Sequence, residues 1–255
     1  MQLHFRSYGQ GSPLIILHGL FGSLENWHTV SERLSSRFQV FAVDQRNHGQ
    51  SPHSSEMDYK LMAEDLAEFM QTNHLKETHI LGHSMGGKTA MQFALLYPEQ
   101  VRRLVVVDVA PRAYAPRHNQ ILEAMLSLDL AHLKDRKQIE KALEPQIPEL
   151  ALRRFLIKSV ARLPGGELAW KLNLEGINAH YDKLNAELTS DQPFKKPTLF
   201  VRGEKSDYIK ESDEALIRRL FPAADIRTIE GAGHWVHAEA PEVFVDMVLD
   251  FLADK

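Results

Sequence analysis

A serine held between two glycines is the first arrangement in this chain that can do covalent chemistry. Gly82-His83-Ser84-Met85-Gly86 spells G-x-S-x-G, between a short apolar run at Thr78–Leu81 and helix-forming residues at Met85–Leu96. A strand that turns sharply into a helix strains the serine and exposes its hydroxyl above the sheet. Side chains at 82 or 86 would collide with backbone there. The turn also puts the serine at a helix N-terminus, where N–H groups favour developing negative charge. A helix-capping serine between two glycine turns is the plainer alternative, and the flanking strand and helix argue against it.

A nucleophilic serine needs a base. His234 lies in Gly231-Ala232-Gly233-His234-Trp235, after an apolar run at 225–229 and before the last helical pattern. An imidazole of ordinary pKa, about 6.5, can take the serine proton and return it to a leaving group near neutrality. The chain has 13 histidines, so position rather than residue type selects this one. His237 would complete an H-x-x-H pair, but nothing nearby supplies further ligands, and no metal site is expected.

Two aspartates follow strand candidates downstream of the serine. Asp108 ends the run Val105-Val106-Val107, and Asp207 follows Arg202-Gly203-Glu204-Lys205-Ser206. Either can reach His234 and hold its tautomer. Each also has a structural alternative: Asp108 as a brace for the following turn, Asp207 as a partner for loop amides. For the oxyanion, the expected donors are the backbone N–H groups of Leu20, in His18-Gly19-Leu20-Phe21-Gly22, and of Met85.

The elements that must position these residues read as α/β. Strand candidates are 13–17, 38–43, 78–81, 103–107, 197–201 and 225–229, with 2–8 as an antiparallel edge. Runs apolar at every position, such as Leu104 to Val107, suit strands covered on both faces. Helical patterns fill 25–35, 59–72, 85–96, 212–220 and 241–252. The alternation stops between about 112 and 191, a stretch of helices without a convincing strand, broken at Pro116, Pro145, Pro148 and Pro164-Gly165-Gly166. The expected organisation is a core of residues 1–111 and 192–255, a mostly parallel sheet with helices on both faces, and a helical cap, 112–191, inserted in it.

The totals exclude other classes. Thirty basic residues against 34 acidic, scattered without a stripe, do not suit a row of phosphates, so no nucleic-acid partner is expected. No apolar stretch approaches 18 residues, so no membrane span is expected. The absence of cysteine removes disulfides and a thiol nucleophile. Residues 1–13 lack an apolar signal core, and a cytoplasmic location is expected.

LHGLFGS (17–23), DQRNHGQS (44–51), GHSMGGK (82–88), VDVAP (107–111) and GAGHWVHAE (231–239) together resemble the YbfF-type bacterial esterases, of the α/β-hydrolase fold and related to mitochondrial α/β-hydrolase-domain proteins. The resemblance implies hydrolysis of short-to-medium acyl esters, acyl thioesters among them, without a cofactor. It implies Asp108 as the acid, although Asp207 stands at the commoner acid position of that fold. Asp44, Arg46, Asn47 and His48 are expected to be structural. Ser84 disfavours dehalogenase and epoxide-hydrolase chemistry, which use aspartate at this position in the same fold.

Substrate choice is expected in the cap. Phe21, Phe155, Trp170 and Trp235 are candidate pocket residues, with Phe155 or Trp170 limiting acyl length. Most apolar cap residues, including Leu156, Val160, Leu163, Leu172 and Leu174, are expected to form the cap's own core. Arg112, Arg117, Arg153 and Arg154 are candidate anion contacts, most of them expected on the solvated surface. The same triad serves carbon–carbon hydrolysis, lactone opening or cofactor-free perhydrolysis, and a hydrolase shape also serves non-catalytic receptors. The oligomeric state, monomer or homodimer, is not legible.

Overall fold

Continuous apolar runs build the sheet. A computed structural model describes residues 1–253. An edge strand, β1 (Phe5–Tyr8), leads into β2 (Ser12–Leu17), helix α1 (His28–Leu34), β3 (Phe38–Val43), α2 (Tyr59–Thr72), β4 (Thr78–His83), α3 (Met85–Leu96) and β5 (Val101–Val107). Leu14 and Ile16 face one layer of buried side chains, while Ile15 and Leu17 face the other. A strand covered on both faces needs apolar residues in both registers. Helices α2 and α3 pack on one face and α1 on the other. Asp58 caps α2 by accepting from Leu61 N at 2.9 Å, which satisfies one of the N–H groups a helix leaves free at its start.

The sheet then pauses. Helices α4 (Asn119–Leu126), α5 (Arg136–Leu143) and α6 (Leu150–Leu156) follow β5. Next come β6 (Val160–Arg162), β7 (Leu168–Trp170), α7 (Leu174–Ala179) and α8 (Tyr181–Asn185). The expectation of helices alone is corrected here: β6 and β7 pair antiparallel as a hairpin around the Pro164-Gly165-Gly166 turn. Three-residue strands are too short to show a period of two. Leu156, Val160, Leu172 and Leu174 are buried, whereas Leu163 is exposed at the hairpin.

The sheet resumes with β8 (Thr198–Gly203), α9 (Glu214–Leu220), β9 (Ala224–Ile229), a short α10 (Val236–Glu239) and α11 (Pro241–Leu252), which packs beside α1. Strand order is β1-β3-β2-β4-β5-β8-β9, with β1 antiparallel and the rest parallel. The inserted residues lie against the loops at the carboxyl ends of these strands. Ser159 Oγ donates to Phe21 O at 2.7 Å after β2, and Asn173 N donates to Asn47 O at 3.0 Å after β3. Ligand crevices of parallel sheets open at this end. Among the described residues no helix is long and apolar enough to cross a membrane.

Candidate active site

Ser84 sits between β4 and α3 with φ 52° and ψ −118°, a conformation a non-glycine residue adopts only when its surroundings force it. The surroundings are tight. A Cβ on Gly82 would lie 2.1 Å from Gly86 O, and one on Gly86 would lie 2.4 Å from Leu17 O. Only bare backbone lets the turn close at both positions. Met85 opens α3, so its N–H is among those with no partner inside the helix.

Asp108 follows β5 with φ 49° and is fully buried. Its carboxylate accepts from Gly203 N at 3.1 Å, from the Ser206 hydroxyl, and from His234 Nδ1 at 2.7 Å. Donation through Nδ1 leaves Nε2 of His234 as the basic atom. Asp207 is turned away and exposed, and both its oxygens are held by the Arg117 guanidinium at 2.5 and 2.7 Å. Of the two candidate acids, only Asp108 meets the histidine.

The His234 loop is held on several sides. The His83 imidazole donates through Nε2 to His234 O at 2.9 Å, and Glu239 accepts from Gly233 N at 2.7 Å and Trp235 N at 3.2 Å. Tyr208 stacks on the His234 ring. Burial lowers the His234 pKa to about 4 and raises that of Asp108 to about 7, although Ser206 and Gly203 pull the carboxyl back down. Sequence reasoning missed His83, Ser206 and Tyr208. Their contacts cross strands β4, β8 and β9, and no local pattern announces them.

The loop carrying Leu20 rests on two neutral histidines. His18 donates through Nδ1 to Gly19 O at 2.8 Å and accepts at Nε2 from Gln45 N at 3.1 Å. His48 donates to Arg46 O at 2.9 Å and accepts from Phe21 N at 3.3 Å. Burial holds their pKa values at about 4 and about 3. Asp44 accepts from Leu24 N at 2.7 Å and Gln50 N at 2.9 Å, and Arg46 pairs with buried Asp65 at 2.6 Å. The turn after β3 is thus a structural brace beside the Leu20 loop.

Two cavities meet at Ser84. The inner one is lined by Leu20, Met85, Lys88, Val109, Tyr114 and Leu184, among others, and measures about 430 Å³ including its open part. The outer one runs past Gly19, Phe21, His234, Phe155 and Trp235, and continues into an open groove bearing Arg154 and Lys158. The pocket reading of Trp170 needs correction. It stands on the β6–β7 hairpin, packed against the core, and lines neither cavity at Ser84. Of the candidate arginines, Arg112 pairs with Asp213 at 3.0 Å and Arg117 with Asp207, while buried Arg153 donates to Ile147 O and Pro148 O.

The family model described as the alpha/beta hydrolase fold matches residues 12–139. Esterase YbfF of Escherichia coli K12 is 32% identical over 244 residues, covering 95% of this chain and 94% of that one. This chain is a member of the α/β-hydrolase family, of the YbfF type. The mouse sn-1-specific diacylglycerol lipase ABHD11 is 40% identical to this α/β hydrolase over 248 residues, covering 94% of this chain and 80% of its own. Among solved structures, a marine microorganism esterase superposes on it with a TM-score of 0.97 at 45% identity, covering 99% of this chain and 100% of its own.

Proposed function

We propose that this α/β hydrolase, an ester hydrolase, cleaves short-to-medium acyl esters through an acyl-enzyme on a Ser84–His234–Asp108 triad. The observation that carries the reading is the 2.7 Å contact between His234 Nδ1 and Asp108, beside a serine strained into a sharp strand-to-helix elbow.

In the proposed cycle, His234 Nε2 takes the Ser84 proton as Oγ attacks the ester carbonyl. The N–H groups of Leu20 and Met85 stabilise the oxyanion, and Asp108 stabilises the imidazolium. The imidazolium returns the proton to the departing alkoxide, which leaves as alcohol. His234 then deprotonates a water, whose oxygen attacks the acyl carbon, and the proton returns to Ser84 as the acid is released.

His234 lines the outer cavity and not the inner one. That supports an alcohol side in the outer cavity, where its proton is delivered, and an acyl side in the inner one. The inserted residues 112–191 then act as a cap that forms both walls. The open groove leaves room for a bulky alcohol portion, such as that of the diacylglycerol named for the mouse relative.

The test is hydrolysis of p-nitrophenyl esters from acetate to palmitate by wild type and Ser84→Ala, with labelling by a fluorophosphonate. Turnover and labelling that vanish together in the mutant support the proposal. A wild type that neither labels nor turns over any ester sinks it.

A further inference from the structure

We propose that Lys88 anchors a carboxylate at the far end of the acyl group, so that the ester best suited to this site is the half-ester of a short dicarboxylic acid. This rests on the esterase reading above and adds the substrate class.

Helix α3 places Lys88 one turn beyond the nucleophile: Lys88 N donates to Ser84 O at 3.0 Å. Four residues of α-helix rise about 6 Å, and both side chains line the inner cavity. The lysine is 1% exposed. Its ammonium donates to Arg112 O at 2.8 Å and Ala186 O at 2.5 Å, and lies 5.6 and 5.0 Å from the ring centres of Tyr59 and Tyr114. An ammonium has three protons to donate, and these two carbonyls use two of them.

Among the described residues, no carboxylate pairs with it. Glu187, whose charge reaches the site, is engaged with Arg219 at 3.5 Å. Burial, and after it the nearby Arg112 charge, lower the Lys88 pKa to about 7, as expected of a buried cation whose surroundings do not balance its charge. The cavity wall supplies none. The Tyr59 hydroxyl is spent on Leu184 O at 2.7 Å and that of Tyr114 on Tyr208 O at 2.6 Å, and Arg117 is already neutralised by Asp207. Lys88 is therefore the unpaired charge in a cavity of largely apolar surface, one helical turn from the acylated atom. An acyl chain ending in a carboxylate supplies the missing charge and accepts the remaining proton.

Lys88 also ties together the two strands of chain by which the insert leaves and rejoins the core, so a variant alone is not a sufficient test. The first measurement therefore uses wild type. Monomethyl glutarate is compared with methyl 5-methylhexanoate, an ester of matching length in which an isopropyl group replaces the carboxylate. A hydrogen bond between charged groups supports a preference in kcat/KM for the half-ester of on the order of tenfold or more. In Lys88→Met that preference reverses, because the carboxylate is desolvated with nothing to receive it. Where wild type turns the esters over, equal or faster hydrolysis of the neutral one overturns the assignment. Calorimetric binding of both esters to Ser84→Ala separates the two proposals. Tighter binding of monomethyl glutarate without wild-type turnover keeps Lys88 as the anchor and rejects the esterase reading. Tighter binding of the neutral ester rejects the anchor whatever the turnover.

Discussion

Tyr208 lies flat on the His234 imidazole, ring centroids 3.9 Å apart and planes 17° from parallel. The Arg117 guanidinium stands 5.1 Å from the centre of the same phenol ring. The imidazole is thus fixed in two ways, along its edge by Asp108 and across its face by Tyr208. An aromatic pair of this kind contributes about 0.5–1.5 kcal/mol beyond area. Tyr208→Phe is predicted to keep wild-type kcat/KM, and Tyr208→Ala to lose roughly two- to tenfold. Steady-state kinetics on one p-nitrophenyl ester decides it, and an equal loss in both variants would refute the stacking role.

Asp108 and Asp207 are predicted to differ by orders of magnitude when each is changed to Asn. In the proposed triad Asp108 orients the base from a buried position, and loss of such a carboxylate costs about 10⁴ in kcat. Asp207 holds Arg117 at the surface, and an exposed ion pair is worth about 1 kcal/mol or less. Measured kcat values that fall together by a similar factor would fit neither role.

Much of this was legible in the chain itself, for identifiable reasons. Helices α2 and α11 end where their patterns end, since each is long, amphipathic and bounded by a cap or a proline; α3, buried nearly all round, is bounded instead by the Ser84 turn before it and Pro98 after it. Ser84 and His234 stand out in the chain because each sits in a glycine-framed turn. The choice between Asp108 and Asp207 could not be made from spacing. Both follow parallel strands that are neighbours in the sheet, and only the side-chain direction, with Asp108 at positive φ, separates them. Lys88 was read as part of a motif, yet its burial depends on carbonyls 24 and 98 residues away. Trp170 is ambiguous for a related reason: an aromatic in this segment can line a pocket or pack the segment itself, and three-residue strands show no period that fixes its direction.

The Asp108–His234 pair sets a definite pH dependence. Burial opposes charge on both groups, raising the carboxyl to about 7 and lowering the imidazole to about 4. Protons join such a pair in two steps that belong to it jointly. The first step already stops catalysis: a protonated Nε2 cannot accept from Ser84, and a protonated Asp108 no longer stabilises the imidazolium. The predicted kcat/KM is therefore flat above about pH 7 and falls about tenfold per unit below it. An acid limb centred near pH 4 would contradict this assignment.

Phe155 and Trp170 are predicted to separate cleanly. Phe155 packs against Trp235 in the wall of the outer cavity, ring centroids 5.9 Å apart, in the cavity that His234 lines. Removing its ring widens the path of the departing alcohol and leaves the acyl cavity as it was. Phe155→Ala should therefore raise kcat/KM for benzyl relative to methyl esters while the acyl-length optimum stays fixed. Trp170 packs against the core from the β6–β7 hairpin, so Trp170→Ala should move neither profile. It should instead lower the melting temperature, because truncating a packed aromatic costs up to about 3–5 kcal/mol, less for one only partly buried. A shifted acyl optimum in Phe155→Ala would exchange the acyl and alcohol sides assigned to the two cavities.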